Sequence, residues 1–181
     1  MTTTPSTTPP TPTVDVQGPL RVLEMTQRLP VRREALFPFF ADAHNLERIT
    51  PTFLKFRVIT PKPIDMRVGA LIDYRLKLHG IPIRWRTQIT GWDPQTSFRD
   101  EQLRGPYKLW RHTHTFEEDG DATVCHDRVE YRVPGGPLAP LIEKWFVRKD
   151  VVSIFAYRAK ALDELFPAPK HDPQPTPEPK A

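Results

Sequence analysis

Apolar and polar residues alternate along this chain with two different periods, and the changes of period mark its elements. In LRVLEMTQRL (residues 20–29) the period is two, which is typical of a half-buried strand. After Pro30, in VRREALFPFFADAHNLERIT, apolar residues return at helical spacing. Because Pro38 has no backbone N–H to donate, we expect two short helices that meet near Asp42.

The period returns to two between Thr52 and Val133. The candidate strands are FLKFRVI, ALIDYRLKLH, IPIRWRTQITGW, SFRDEQL, YKLWRHTHTFE and ATVCHDRVEYRV. They are separated by PKP, HGIP, DPQT, RGP and EDGD. Connections this short predict an antiparallel meander.

A second helical pattern follows PGGP, in LAPLIEKWFVRKDVVSIFAYRAKALDELF. Its apolar residues at three- and four-residue intervals are Leu141, Trp145, Val152, Phe155, Ala159 and Leu162. This spacing predicts one long amphipathic helix. The stripe passes over Arg148 or Lys149, so we expect a cation beside the sheet, with its head either in solvent or against an anionic ligand.

Composition limits the packed part of the chain. Of its 181 residues, 1–19 and 167–181 are rich in proline and polar residues, and we expect both to be disordered tails. The sequence leaves their role open, including any contact with a protein partner. The segment 20–166 has the length of one domain, which buries about 70% of its unfolded surface.

Charge, hydropathy and cysteine content exclude several classes of protein. No apolar run approaches the ~20 residues of a membrane span, and the N-terminus lacks the pattern of a signal peptide, so no integral membrane association is expected. The lone Cys125 rules out an internal disulfide, and we expect a cytoplasmic protein. The net charge of +4 permits an anionic partner without requiring one.

The order of elements is a strand, two short helices, six strands and a long helix, which makes an α+β domain whose curved sheet covers the helix. The segments FPFFADAHNLERITP, DEQLRGPYKLWRHTHTF and DRVEYRVPGGPL carry a resemblance to the START-like, polyketide cyclase/dehydrase-like SRPBCC superfamily, in its bacterial ligand-binding branch. The resemblance implies the helix-grip fold, with about seven strands around the C-terminal helix and a cavity between them.

The stretch KLWRHTHTF concentrates the chemistry of the chain. Its even positions share one face of a strand, and those residues are Trp110, His112, His114 and Phe116. A two-residue turn at Asp119-Gly120 would place His112 opposite Asp127 and His114 opposite Cys125. We therefore predict a His112–Asp127 pair on the concave face, although burial and the carboxylate act on the imidazole in opposite directions.

The same parity argument selects the other inward residues. Phe98 shares its face with Asp100 and Gln102, so we expect both polar side chains in the cavity. The complete set of candidate ligand-binding residues is Trp85, Asp100, Gln102, Trp110, His112, His114, Phe116, Asp127 and Tyr131.

Several functions suit this polar face. One is purely structural: the polar residues form a hydrogen-bonded network that fixes the register of the strands. The function we favour is a pocket for a hydrophobic small molecule, such as a lipid, quinone, polyketide or other ring-bearing metabolite. A cyclase or dehydratase with His112 and Asp127 as acid/base pair is an alternative, as is a protein-interaction module. Zinc binding is a further alternative, with His112, His114, Cys125 and Asp127 as ligands. It depends on an HxH motif, which is a weak signal, so we expect no metal and no cofactor.

The opposite face of the sheet is predicted to be basic. Its outward residues include Lys55, Arg57, Arg75, Lys77, Arg84, Arg86, Arg111, Arg128 and Arg132. Nucleic acid or an anionic membrane would suit such a surface. The outward positions lack the aromatic residues on which bases stack, so we expect no nucleic-acid partner.

Overall fold

The computed structural model describes residues 10–168, and most of the two predicted tails lies outside that range. Eight antiparallel strands form one sheet in the order β1-β2-β8-β7-β6-β5-β4-β3. The strands are β1 (Thr13–Gln17), β2 (Leu20–Leu29), β3 (Arg57–Val58), β4 (Leu71–Leu78), β5 (Ile81–Asp93), β6 (Ser97–Arg104), β7 (Leu109–Asp119) and β8 (Ala122–Arg132). With the long C-terminal helix this is the predicted helix-grip architecture.

Two short helices follow β2, as the sequence predicted. Helix α1 (Arg33–Ala41) contains Pro38, and a 3-10 helix spans Ala43–Arg48. Asp42 lies at the join, where its carboxylate accepts a hydrogen bond of 2.9 Å from the backbone N–H of His44. The predicted strand FLKFRVI is mostly a different structure, because Thr52–Leu54 form a 3-10 helix and only Arg57–Val58 pair with β4.

The segment Thr13–Gln17 was assigned to the disordered N-terminal tail, and there the prediction was wrong. It forms β1, which pairs with β2 through a turn at Gly18, whose φ is +60°. Val14 and Val16 have the β-branched side chains that strands favour, and the backbone bonds to β2 stabilise a segment that buries little by itself.

The C-terminal helix is continuous but changes its winding. Helix α2 (Ala139–Ile142) leads into a π-helical segment (Glu143–Val147) and then helix α3 (Arg148–Leu165). A π turn adds a residue and rotates the faces before and after it. Leu141 and Trp145, expected on the buried stripe, are therefore 56% exposed, and Glu143 is buried instead.

Glu143 connects this helix to the sheet. Its carboxylate accepts hydrogen bonds from Tyr131 Oη at 3.0 Å and from Arg148 at 2.7 and 2.8 Å, and Arg21 Nε lies 3.0 Å away. Burial raises the pKa of Glu143, but the bonds from Arg148, Arg21 and Tyr131 outweigh it and hold the pKa below its usual value. The predicted cation Arg148 is thus bound to Glu143, while Lys149 is exposed.

Helix α3 packs on only part of the concave face. Val151, Phe155 and Ala159 contact Leu23 and Val129 in a core cluster on β2 and β8. The end of the sheet formed by β4 and β5 instead faces the 3-10 helix Ala43–Arg48. The contact is a separate core cluster formed by Ala43, Ile72, Tyr74 and Ile89. This division leaves room between α3 and strands β4 to β7. No helix within residues 10–168 is long and apolar enough to cross a membrane.

We predict that Glu143→Ala lowers the free energy of unfolding by about 3–5 kcal/mol, because it leaves the buried Arg21 and the half-buried Arg148 without their carboxylate. Urea denaturation at neutral pH measures the loss. The control is Glu164→Ala, whose side chain is 69% exposed and 3.8 Å from Lys160, and little change is expected there. Equal losses in the two variants would contradict the prediction.

Candidate functional site

The space between α3 and the sheet is a cavity of about 170 Å³, which we call the sheet–helix cavity. One water molecule needs roughly 10–15 Å³ by the same measure, so the cavity has room for a small organic molecule. Its apolar lining includes Phe39, Phe40, Leu46, Leu54, Phe56, Ile72, Leu76, Ile83, Ile89, Val151, Ile154 and Phe155. Such a lining excludes water from most of the wall and favours apolar ligands.

Three aromatic residues form one end of the cavity. Trp85, Tyr107 and Trp110 contact one another: the ring centroid of Trp110 is 5.3 Å from that of Trp85 and 4.8 Å from that of Tyr107, and the last two are 5.6 Å apart. Gln102 was predicted to line the cavity, but it does not. Its side chain donates to the backbone oxygen of Tyr107 at 2.7 Å and accepts from the Tyr107 N–H at 3.3 Å. Gln102 therefore holds the β6–β7 loop, which in turn positions Tyr107.

Four polar side chains meet on the concave face, and we call Asp100, His112, His114 and Asp127 the histidine cluster. His112 Nε2 forms a hydrogen bond of 2.8 Å with Asp127 Oδ1, and His114 Nδ1 lies 2.8 Å from the same oxygen. Both imidazoles are 5% exposed. Because a carboxylate oxygen accepts and cannot donate, each ring nitrogen facing Asp127 carries the hydrogen.

The predicted register of this hairpin was wrong by two residues. The turn residues are Gly120 and Asp121, so His114 is directly opposite Asp127 and His112 is opposite Val129. Gly120 has a φ of +63°, which suits the first turn position. A shift of two keeps every side chain on its face, and His112 reaches Asp127 diagonally.

Asp100 faces the same two imidazoles from β6. Its Oδ1 accepts a hydrogen bond of 3.1 Å from Thr87 Oγ1. Its Oδ2 lies 3.8 Å from His112 Nδ1 and 3.9 Å from His114 Nε2, which is beyond hydrogen-bonding distance. Burial raises the pKa of Asp100 despite the nearby His114 and the bond from Thr87.

Electrostatics make His112 neutral. Burial, followed by the neighbouring His114, lowers the pKa of His112 to about 3 and outweighs the opposing effect of Asp127. Burial also acts to raise the pKa of Asp127, but His114 and His112 hold it well below its usual value. The cluster therefore combines a neutral imidazole at His112 with an ionised carboxylate at Asp127.

The sequence reasoning missed a cation on the cavity wall. Arg158 is 8% exposed and lines the sheet–helix cavity, with its guanidinium carbon 4.7 Å from the ring centre of Phe155. Its Nε and Nη1 atoms have no hydrogen-bond partner within residues 10–168. A signal was present, because Arg158 falls three residues after Phe155 and seven after Val151, on the apolar stripe.

The remaining predicted residues fall into two groups. Those that line the cavity are Trp85, Asp100, Trp110, His112 and His114. Phe116 and Cys125 instead lie in a core cluster with Phe98, and Tyr131 bonds to Glu143. Asp127 also lies outside the lining, behind the two histidines. Cys125 is therefore not part of the histidine cluster.

The convex face is mixed in charge rather than uniformly basic. Arg86 forms two bonds of 2.8 Å with Asp73, and Arg111 donates to Glu101 at 3.0 Å. Arg57 likewise pairs with a carboxylate, that of Glu47. Such a surface supports nucleic-acid binding less than the outward arginines alone suggested.

Comparisons with known proteins agree with this geometry. The sequence profile described as "Polyketide cyclase / dehydrase and lipid transport" matches residues 29–154. The crystal structure of Ms6760 from Mycobacterium smegmatis matches with a TM-score of 0.62 at 18% identity, covering 87% of this chain and 97% of that one.

Two further solved structures have the same fold. The Zhui aromatase/cyclase from Streptomyces sp. R1128 gives a TM-score of 0.58 at 14% identity, covering 81% of this chain and 96% of that one. Major latex-like protein 151 from Panax ginseng gives 0.52 at 14%, covering 75% and 97%. Identities this low show the fold alone. No curated protein sequence matches the chain.

We predict that, because of His112, the free energy of unfolding falls as the pH is lowered from 7 to 5. Its pKa is lower in the folded chain, so only the unfolded chain gains a proton in this range, and stability falls as the pH drops below about 6.5 toward 3. The expected loss by pH 5 is about 2 kcal/mol. Urea denaturation across this range measures it, and His112→Gln should remove most of that loss.

The control for this experiment is His126→Gln, which removes a histidine on the outer face, where its side chain is 37% exposed. This variant should keep the pH dependence of the parent. An unchanged dependence in His112→Gln would show that His112 does not remain neutral in the folded state.

Proposed function

Because the chain belongs to the polyketide cyclase/dehydrase and lipid transport family, we propose that it binds a hydrophobic small molecule in the sheet–helix cavity. The observation that carries the proposal is a mainly apolar cavity into which several polar side chains also face. They include Arg158 of α3 and, from the sheet, Asp100, His112 and His114. A mostly apolar molecule that also carries an acidic or other oxygen-bearing group suits such a lining. Polyketides, quinones and lipids are molecules of this kind.

The apolar lining supplies the affinity. Burying ~200 Å² of apolar ligand surface contributes about 5 kcal/mol. Trp85, Trp110 and Tyr107 add flat contact surfaces for a ring. Part of this gain is offset by the lost freedom of the ligand, so affinity depends on how well the polar end is also satisfied.

Arg158 supplies the selectivity. A buried guanidinium with two unpartnered nitrogens is costly, and an anionic oxygen placed against it recovers hydrogen bonds and charge together. The cation we expected at Arg148 or Lys149 thus has a counterpart nine or ten residues farther along the helix. An acidic ligand should orient with its rings toward Trp85 and its anionic oxygen toward Arg158.

A cyclase or dehydratase is the second candidate, and the bond from His112 to Asp127 favours it. A carboxylate behind an imidazole holds the tautomer and leaves the opposite nitrogen free for proton transfer. A pKa of about 3, however, makes His112 a weak base near neutral pH, where a good catalyst has a pKa close to 7. Binding is therefore the better-supported role. The cytoplasmic location and the protein-interaction alternative stay predictions.

Native mass spectrometry of the freshly purified chain tests whether it carries a bound small molecule. A second experiment measures probe binding by two matched variants, Ile154→Trp and Val152→Trp. Both positions are half-buried on α3, but only Ile154 lines the cavity. With 2-naphthoate as probe, Ile154→Trp should weaken binding at least about 10-fold because the indole fills the site, whereas Val152→Trp should bind like the parent. Equal affinities, or no probe binding by the parent, would refute a cavity site.

The role of Arg158 is tested with two probes of the same ring system. Arg158→Gln should weaken 2-naphthoate by about 10- to 100-fold and leave the neutral 2-naphthylmethanol nearly unchanged, since only the acid bonds to the guanidinium. Arg158→Lys retains the charge and should recover part of the affinity. Isothermal titration calorimetry gives the four comparisons. An equal loss for both probes would mean that Arg158 only packs against the wall.

A further inference from the structure

Three potential metal ligands converge on the cavity side of the histidine cluster. One potential ligand atom from each of Asp100, His112 and His114 lies within 4.8 Å of the other two, and Asp100 Oδ2 faces His112 Nδ1 and His114 Nε2. Asp100 lies 3.8 and 3.9 Å from the two nitrogens, so the three atoms face one another without bonding. The same three side chains line the sheet–helix cavity, whereas Asp127 does not.

Each of these side chains is held from behind. Asp127 Oδ1 faces the other nitrogen of both imidazoles at 2.8 Å, which leaves lone pairs on His112 Nδ1 and His114 Nε2. Thr87 donates to Asp100 Oδ1, which leaves Oδ2 available. A carboxylate behind a histidine and a hydrogen bond to a carboxylate are the usual surroundings of metal ligands.

Packing also fixes the ring planes. The ring of Phe98 stacks on His114 with centroids 4.2 Å apart and an angle of 25° between planes. Phe155 contacts the ring of His112 edge-on at 5.3 Å. Rotation of either imidazole is therefore restricted, and the nitrogens keep their direction toward Asp100.

We propose that Asp100, His112 and His114 form a binding site for a divalent transition-metal ion such as zinc, with an open coordination position toward the sheet–helix cavity. Two histidines and one carboxylate are the donor set of open zinc and iron sites. Ligand atoms ~2.1 Å from a tetrahedral zinc ion are ~3.4 Å apart, so Asp100 Oδ2 needs to move by about half an ångström relative to each nitrogen.

The charges around the site agree with a dication that also takes an anion. Two carboxylates, Asp100 and Asp127, face the imidazoles, and one guanidinium, Arg158, lines the same cavity. A dication held by the three ligands would leave its open position on the cavity side, where an anionic oxygen can occupy it. The metal and Arg158 would then hold the same end of a ligand. This goes beyond the apolar pocket proposed above and does not depend on it.

The sequence suggested a different donor set and led us to expect no metal. Cys125 belonged to that set, but it lies in the core cluster with Phe116 and Phe98. Asp127 belonged to it as well, and the structure places it behind the imidazoles rather than beside the cavity. Asp100, on the neighbouring strand, is the carboxylate that faces the open side.

The direct test uses the full chain, dialysed against a chelator and titrated with Zn²⁺ alone. Nitrogen-15 spectra of the imidazoles should show His112 Nδ1 and His114 Nε2 shifting as zinc binds, while His112 Nε2 and His114 Nδ1 keep their hydrogens. No shift at these nitrogens, or binding through the opposite pair, would overturn the proposal. This readout needs no variant and no organic ligand.

Affinities measured by competition with a chromophoric chelator give a second test. His112→Gln, His114→Gln and Asp100→Asn should each weaken zinc at least about 100-fold, and Asp127→Asn, which removes only the supporting carboxylate, about 10- to 100-fold. Cys125→Ala and His126→Gln should bind like the parent. Unchanged affinity in the first group, or a large loss in Cys125→Ala with its fold intact by circular dichroism, would contradict the assigned ligands.

Discussion

The inner face of this protein depends on one buried carboxylate. Asp127 is 6% exposed and is satisfied by two imidazoles, each 2.8 Å from the same oxygen. An unpaired charge at that depth would be too costly to retain, so the histidines and the aspartate require one another. Asp127 takes one nitrogen of each ring, and the other nitrogen of each ring faces Asp100. The chemistry of the cavity wall follows from this constraint.

The rest of the cavity is arranged around that polar wall. Helix α3 covers β2 and β8, and the short helices after β2 close the far side, so parts of strands β4 to β7 line the cavity. The lining is apolar except at Asp100, His112 and His114, at Arg158 and at a few short polar residues. A ligand therefore meets a hydrophobic body and a polar end, and the two requirements together decide which molecules bind well.

The position of the helix is held by a second buried carboxylate. The π-helical segment brings Glu143 onto Tyr131 and Arg21, and the same winding turns Leu141 and Trp145 outward. A regular helix would bury those apolar residues and leave Glu143 in solvent. Since α3 carries both Phe155 and Arg158, the Glu143 contacts also set where these two residues meet the cavity.

The local pattern of apolar and polar residues was sufficient to predict most of the fold and which side of each strand faces inward. The alternation in KLWRHTHTF put both histidines on the concave side, and the Asp42 join followed from Pro38 and the cap. The hairpin register was missed by two residues, since Asp119-Gly120 and Gly120-Asp121 turns are nearly equivalent in sequence. The faces were still right because side-chain direction repeats every two residues.

What the tertiary structure alone decided are the contacts between elements distant in sequence. The bond of Gln102 to the β6–β7 loop, the place of Asp100 beside the outer imidazole nitrogens and the unpartnered nitrogens of Arg158 all depend on contacts between elements. The sequence by itself determined which side of each strand is polar, because that depends on neighbouring residues. It could not determine the helix winding at Glu143, because a π turn there is favoured only by partners on β2 and β8.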